Sequence, residues 1–176
     1  MRHLDSSANA ALLKTIQSEW SGKIIKAEEN RNMVVVELDK SQLVALMSYL
    51  KEKHSFDMLM DLTAVDFLGK RDARFEMVYM LFATKSLQRI RVKVPLAEGE
   101  KVPSLIDIWK GANWPEREVF DLMGIEFENH PLMERLIMPD GYIGNPLRKD
   151  FPLKGRGEDY LIESILMPVK QELKVK

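Results

Sequence analysis

Three successive strand-like segments lie in the middle of the chain and constrain its fold more than any other feature. They cover Asp57–Phe67, Arg74–Ala83 and Gln88–Val94, and short polar connections separate them. Connections of this length suit antiparallel hairpins. The three segments therefore predict a sheet of mainly antiparallel strands.

The second and third segments differ in which faces are apolar. In the third segment apolar residues and cations alternate, which gives one apolar and one cationic face: Ile90, Val92 and Val94 against Arg89, Arg91 and Lys93. The second segment, FEMVYMLF, is apolar on both faces. It predicts a central strand, or a strand that is covered by another protein chain.

Two helices and a further strand are predicted upstream. A helix follows Ser6 and Ser7, with Gly22 as its stop and with one apolar face made of Leu12, Leu13, Ile16 and Trp20. Met33–Asp39 is β-branched and predicts a strand. Asp39 or Ser41 is a candidate cap for a second helix, whose apolar side consists of Leu43, Leu46, Met47 and Leu50.

Two more helices are predicted after the strand cluster. Pro103 suits the first turn of a short helix that runs through Trp109. Asn113 is the expected cap of the next helix, and Glu116 has capping-box spacing from it. Gly124 is the expected end of that helix because glycine adopts a left-handed backbone readily.

The carboxylates of that helix offer little chemistry. Glu118 and Asp121 share a predicted face, on which paired carboxylates could hold a metal ion. Arg117 lies four residues before Asp121 and offers an ordinary ion pair instead. The preferred interpretation of Glu116, Glu118 and Asp121 is a solvated or interfacial face.

Periodicity ends after Phe127, where prolines 131, 139, 146 and 152 exclude long regular elements. The chain is therefore divided into a core, residues 1–128, and an extended arm and tail, residues 129–176. A long loop-rich segment is uncommon unless it is functional or held by a partner. Within it, Pro146 and Pro152 stiffen the backbone around Arg148, which can then form a bidentate contact with a carboxylate on a partner.

Composition argues against several functions. Lysines and arginines number 26 against 27 acidic residues, so no strong field attracts nucleic acid. The sequence contains no run of 18 or more apolar residues, so no membrane span is predicted. The N-terminus lacks a signal-peptide pattern. Cysteine is absent, so no thiolate can bind zinc or an iron–sulfur cluster.

No catalytic arrangement is visible either. The histidines, His3, His54 and His130, are isolated from one another, and Pro131 interrupts the spacing of His130 and Glu134. A metal site there is less favoured than a histidine that bonds to the backbone of its own turn. No serine lies in G-x-S-x-G, and no complete dinucleotide fingerprint occurs. We therefore expect no catalytic, cofactor-binding or metal-binding residue in this chain.

Several ordered blocks resemble a known family across roughly residues 20–155. In the second half they are WPEREVFDLMGIEF, HPL, LIMP and PLRKDFPL; in the first half they are DLTAVDF, RFEMVY and RIRVKV. Together they are similar to the 30-kDa-type subunit, also called the C subunit, of the proton-pumping NADH:quinone oxidoreductase, respiratory complex I. One departure is Asn145, where members commonly have histidine, although asparagine keeps a hydrogen-bonding side chain.

The resemblance implies an α+β domain with helices packed on a β-sheet. It implies a non-catalytic subunit of the peripheral arm that helps to assemble and rigidify the module passing electrons from NADH to quinone, coupled to proton translocation. FMN and the iron–sulfur clusters are expected on other subunits. The expected neighbours are the 49-kDa-type quinone-site subunit and nearby cluster-bearing subunits. The expected location is peripheral, on the cytoplasmic side of the inner (plasma) membrane.

On this interpretation, the charged residues at positions 116–121 order the capped helix, and those at positions 148–150 fix the arm on the neighbouring subunit. The candidate interface residues are Glu116, Arg117, Glu118, Asp121, His130, Arg135, Arg148, Lys149, Asp150 and Phe151.

Three alternatives remain open. The same type of subunit occurs in F420H₂- or ferredoxin-dependent quinone-reducing complexes and in membrane-bound hydrogenases. A stand-alone metal-dependent hydrolase would use Glu118 and Asp121. A nucleic-acid-binding module has only the cationic strand face in its favour, and the balanced charge argues against it.

Overall fold

The computed structural model describes residues 6–155. His3 and residues 156–176, the end of the predicted arm and tail, lie outside the described residues. The regular elements are α1 Ser6–Glu19, β1 Ile24–Asn30, β2 Met33–Leu38, α2 Leu43–His54, β3 Met58–Asp66, β4 Phe75–Ala83, β5 Gln88–Leu96, β6 Val102–Pro103, α3 Asn113–Met123 and β7 Phe127–Glu128. The chain has the predicted α+β fold.

Five strands form the main sheet in the order β1-β2-β5-β4-β3. Neighbours are antiparallel except β2 and β5, which are parallel. The hairpins predicted from the short connections, β3–β4 and β4–β5, are confirmed. β4 lies between β3 and β5, so its interior position is confirmed too.

The β1–β2 hairpin was not predicted from the sequence. Its two turn residues, Arg31 and Asn32, have φ values of 50° and 63°, as a tight two-residue hairpin turn requires. The strand β1 is a sheet edge with mostly exposed or half-buried residues. Because it lacks a regular apolar alternation, its sequence, IIKAEEN, carries only a weak strand signal.

The helices pack on one face of the sheet. Ile16 of α1 and Leu46 and Leu50 of α2 are fully buried in one core with the inward-facing residues of the strands. Each such side chain contributes about 1.5–3 kcal/mol of hydrophobic stabilisation. The predicted apolar faces of both helices are therefore confirmed, and Asp39 caps the turn before α2 by accepting a 2.9 Å bond from the Ser41 N–H.

The predicted helix from Pro103 to Trp109 is wrong. Val102–Pro103 is a short strand paired in parallel with Phe127–Glu128. Bonds to this neighbour come from the N–H groups on either side of Pro103, those of Val102 (3.1 Å) and Ser104 (3.0 Å). The proline thus occupies the strand position whose missing N–H is not needed.

The predicted start of α3 is also wrong, whereas its end is confirmed. A 3₁₀ turn, Lys110–Ala112, runs directly into α3, so Asn113 is already helical and makes no side-chain cap bond. Glu116 bonds elsewhere and does not complete a capping box. Gly124 ends the helix with a φ of +74°, and its N–H donates to Phe120 O at 2.9 Å.

No helix in the described range is long and apolar enough to cross a membrane.

Candidate functional site

The candidate site is the arm, which we define as residues 129–155. It contains turns and bends but neither helix nor strand. Backbone without regular pairing needs other hydrogen-bond partners. In this arm, the buried Asp121 accepts three backbone N–H bonds at one end, and Asp66 accepts one at the other end, where the buried Arg74 also binds an arm carboxylate.

Asp121 binds one loop of the arm. Its side chain is fully buried. The Oδ2 atom accepts bonds from three successive backbone N–H groups, those of Leu136 (3.0 Å), Ile137 (2.7 Å) and Met138 (2.8 Å). The Oδ1 atom accepts a 2.6 Å bond from Arg135 Nη1. Burial alone would raise the pKa of Asp121, but these bonds outweigh burial and lower the pKa below its usual value.

The arm also donates hydrogen bonds to carbonyl groups at the carboxyl end of α3. Asn145 Nδ2 donates to Asp121 O at 2.9 Å and more weakly to Phe120 O at 3.4 Å. The Leu147 N–H donates to Leu122 O at 3.0 Å. Glycine suits this position through its left-handed backbone angle, and a Cβ atom here would lie 2.7 Å from Asn145 Oδ1 and displace the Asn145 side chain.

Arg74 binds the other end of the arm. It is 6% exposed and forms a bidentate pair with Asp66, with bonds of 3.1 Å from Nε and 3.0 Å from Nη2. A second bidentate pair, of 3.1 and 2.7 Å, joins Arg74 to Asp150 of the arm. Its Nη1 atom also donates to Glu98 at 2.9 Å. All the N–H directions of this guanidinium therefore face carboxylates.

Asp66 adds a backbone contact to the same cluster. Its Oδ2 atom accepts a 2.9 Å bond from the Lys149 N–H. Burial raises the pKa of Asp66, but bonds from Arg74, Lys149 and Leu68 outweigh burial and lower it to about 2. This carboxylate is therefore ionised at neutral pH and fixes the arm backbone by charge-assisted bonds.

The candidate residues 148–151 contact their own chain. Arg148 pairs with Glu98, and its Nε atom lies 3.5 Å from Asp150. Lys149 contributes its backbone N–H, and its side chain is exposed. Phe151 stacks on Tyr142 with ring centroids 6.3 Å apart. The carboxylates that Arg148 was expected to find on a partner are therefore supplied within this chain.

His130 lies at the start of the arm, and its predicted role as a backbone-bonding histidine is confirmed. Its Nδ1 accepts a 3.1 Å bond from the Leu132 N–H, so the proton is on Nε2, which lies 3.3 Å from Asn113 O. Glu116 lies beside this ring, with Oε2 3.9 Å from Nε2. Burial raises the pKa of Glu116, although Ser104 and Leu105 donate hydrogen bonds to its carboxyl group.

Two expectations for α3 are wrong. Arg117 does not pair with Asp121; it donates to the carbonyls of Glu134 and Arg135, both at 3.1 Å. Glu116 and Asp121 are fully buried, whereas Glu118 is exposed, so the three carboxylates do not form one surface face. Within residues 6–155 no group of three or more acidic or histidine side chains could hold a metal ion.

Three residues that hold the end of the arm were not among the candidate site residues: Asp66, Arg74 and Glu98. The first two lie in the blocks DLTAVDF and RFEMVY, and their opposite charges on adjacent predicted strands were the signal that could have found them. Asn145 was noted only as a departure from the family.

The arm carries unusually exposed apolar side chains. Five of them are 48–105% exposed, and Trp114 of α3 is 68% exposed as well; the five are Leu132, Ile137, Ile143, Leu147 and Leu153. Exposed apolar groups concentrated on one segment indicate a protein contact surface. The arm is thus bound to the core through charged groups and leaves large apolar groups outside.

Comparison with known proteins gives a consistent picture. Residues 36–157 match the family model of the respiratory-chain NADH dehydrogenase 30 Kd subunit. The NADH-quinone oxidoreductase C subunit of Geotalea uraniireducens is 43% identical over 148 residues, 84% of this chain and 89% of the relative. That of Moorella thermoacetica is 46% identical over 134 residues, 76% of this chain and 89% of the relative.

A longer relative and a solved structure also match. The NADH-quinone oxidoreductase C/D subunit of a Sulfurihydrogenibium species is 42% identical over 132 residues, 74% of this chain but 23% of the relative. A chain of the membrane-bound sulfane sulfur reductase, an archaeal respiratory membrane complex, has the same fold, with a TM-score of 0.67, 22% identity and coverage of 96% and 92%. The family match and these identities show that the chain belongs to the 30-kDa subunit family of respiratory NADH dehydrogenases, the family of the C subunits.

Proposed function

We propose that this C-type chain has a mechanical role in the peripheral arm of an NADH:quinone oxidoreductase. It would join and rigidify the subunits that carry electrons from NADH to quinone, without reacting itself. The observation that carries this proposal is the arm, whose backbone is fixed on the core while Ile143, Leu147 and Leu153 are exposed. A surface ordered before binding loses little conformational entropy when a partner covers it.

The first partner we propose is the D-type subunit, the 49-kDa-type subunit that helps to form the quinone site. In the C/D relatives, the part similar to this chain is 23% of a single longer polypeptide whose name also includes the D type. Joining two subunits in one chain keeps them at high local concentration, which benefits proteins that work in contact.

The redox groups of the complex would belong to other subunits. Since cysteine is absent, this chain has no thiolate to bind an iron–sulfur cluster. FMN would also be bound elsewhere, as the family resemblance implies. The names of the relatives support NADH as the electron donor over F420H₂ or ferredoxin. The chain would lie on the cytoplasmic side of the membrane, attached through its partners.

Copurification tests this role. A tagged chain should retain the D-type subunit and NADH:quinone reductase activity when it is purified from the source cell, whereas the isolated chain should have neither activity nor a chromophore. Leu147→Asp, on the arm, should release the D-type subunit; Val44→Asp, at a 42% exposed position of α2, is the matched control and should retain it. Stoichiometric flavin or iron in the isolated chain would contradict the proposal.

A further inference from the structure

Three titratable side chains of the described structure accept backbone N–H groups of the arm, and they differ in chemistry. Two are carboxylates of the core: Asp121 accepts from residues 136–138, and Asp66 accepts from Lys149. Burial raises the pKa of both carboxyl groups, but their hydrogen bonds outweigh burial and lower both pKa values. The third acceptor is the ring of His130 at the start of the arm. Imidazole is the side chain that most often changes its charge near neutral pH.

The hydrogen bonds of His130 require a neutral ring. Nδ1 accepts the Leu132 N–H at 3.1 Å, and Nε2 carries the one ring proton toward Asn113 O at 3.3 Å. A second proton would bind to Nδ1, and two donors, the new ring N–H and the Leu132 N–H, would then face each other. The bond that closes the first turn of the arm is therefore compatible with only one charge state of the ring.

A carboxyl group lies beside this ring. Glu116 Oε2 is 3.9 Å from His130 Nε2, and neither side chain has any exposed surface. Ser104 Oγ (2.6 Å) and the Leu105 N–H (2.7 Å) both donate to the carboxyl group, which favours its ionised form, although burial raises its pKa. No lysine or arginine within residues 6–155 pairs with Glu116. A buried carboxylate without a cation is stabilised when a neighbouring imidazole gains a proton.

The other titratable group near this pair is Tyr79 of β4. Burial, and secondarily the charge of Glu116, raises the pKa of Tyr79 well above its usual value, so its phenol stays neutral. Arg117, the next residue after Glu116, donates to the carbonyl groups of Glu134 and Arg135 instead. Among the described residues, His130 and Glu116 therefore titrate as a pair without a third charged side chain.

We propose that His130 makes the first turn of the arm, residues 130–133, sensitive to pH. When the ring takes up a second proton, it pairs with Glu116, the Leu132 N–H loses its acceptor, and the turn opens. The two carboxylate acceptors keep their bonds, so the change is confined to the start of the arm. Charging a buried histidine is a common way for a protein to couple a local rearrangement to pH.

This inference is independent of the proposed function, because the turn and the buried pair belong to this chain alone. The turn carries Leu132, which is 48% exposed, and contacts Asn113, the residue before the 68% exposed Trp114. In a complex, opening of the turn would therefore alter the apolar surface at the start of the arm.

Amide hydrogen exchange in the full chain, followed by NMR, tests the inference. Between about pH 7.5 and about pH 5.5, the range in which histidine titrates, the protection of the Leu132 amide should fall at least about tenfold. The amides of Ile137 and Lys149 are internal controls, because their acceptors are the two carboxylates, and their protection should not change. Unchanged protection at Leu132 overturns the inference. An equal loss at all three amides also overturns it, since the opening is then not confined to the first turn.

The nitrogen NMR shifts of the His130 ring show where the proton binds. Both ring nitrogens should become protonated over the pH range in which the Leu132 amide loses protection. A ring that stays neutral while the carboxyl signal of Glu116 titrates overturns the proposal, because the proton then binds to the carboxyl group.

Three variants separate the ring from other groups. In His130→Asn, the side-chain oxygen can accept the N–H two residues later, as in an Asx turn, but it cannot titrate, so the Leu132 amide should stay protected. Glu116→Gln removes the charge beside the ring and should move the loss of protection to lower pH. His54→Gln is the matched control, because His54 bonds to Tyr49 and not to the arm, so the response should remain. A response that persists in H130N, disappears in H54Q or is unshifted in a folded E116Q variant overturns the assignment.

Discussion

Arg74 and Asp150 lie 76 residues apart in the sequence, yet their side chains form two parallel hydrogen bonds of 3.1 and 2.7 Å. The same guanidinium binds Asp66 at the end of β3. One buried cation therefore fixes the end of the arm to the edge of the sheet. Its replacement tests how much the arm depends on the core.

Arg74→Gln should destabilise the isolated chain by about 3–5 kcal/mol, because it leaves the buried Asp66 carboxylate without its cation. Arg74→Lys should recover only part of this loss, since an ammonium cannot make two bidentate pairs. Urea unfolding measures both changes. Lys110→Gln is the control: its pair with Asp107 is exposed, so a loss below about 0.5 kcal/mol is expected.

Asp121→Asn should loosen the loop that contains Arg135. The amide has one acceptor oxygen in place of two, so it cannot accept from three backbone N–H groups and from Arg135 together. Trypsin should then cleave after Arg135 at least about tenfold faster, because local opening becomes less costly. Glu118→Gln, at an exposed position of the same helix, should leave cleavage unchanged. Equal cleavage in a folded D121N variant would refute the role of this carboxylate.

Gly124→Ala should cost about 1–2 kcal/mol for the left-handed backbone alone. A further loss is expected because the new Cβ would lie 2.7 Å from Asn145 Oδ1. Gly111→Ala is a matched control, since Gly111 has no positive φ and open space around its Cβ position. Thermal unfolding of the two variants compares them. Similar melting temperatures would show that the Gly124–Asn145 contact does not constrain the arm.

Acid should weaken the Arg74 cluster. The pKa of Asp66 is lowered from 3.8 to about 2 in the folded chain, so its stabilising contribution is present above pH 3.8 and is lost as pH falls toward 2. This loss amounts to about 1 kcal/mol by pH 3 and about 2 kcal/mol by pH 2. In the Asp66→Asn variant this side chain no longer titrates. The difference in unfolding free energy between wild type and variant should therefore shrink by these amounts as the pH falls. A gap that is constant between pH 7 and pH 3 would contradict the assignment.

The local elements follow from local patterns. Alternation in β5 and the apolar run of β4 predicted the sheet correctly, and the left-handed preference of glycine predicted the end of α3 at Gly124. The cap at Asn113 and the helix at Pro103 failed for one reason. Both predictions considered only neighbours in the sequence. In the structure, pairing with β7 satisfies the backbone groups around Pro103, and the preceding 3₁₀ turn satisfies the backbone N–H of Asn113.

The sequence by itself determined the strand pattern, the ends of its best-marked elements, the absence of thiolate chemistry and the family resemblance, because each depends on residue types or on neighbours a few positions apart. Tertiary structure decided which charges meet. Asp66, Arg74 and Asp150 come from three distant segments, and Asp121 is a buried acceptor and not a surface carboxylate. Burial and long-range pairing, which set the strength of these bonds, exist only once the chain is folded.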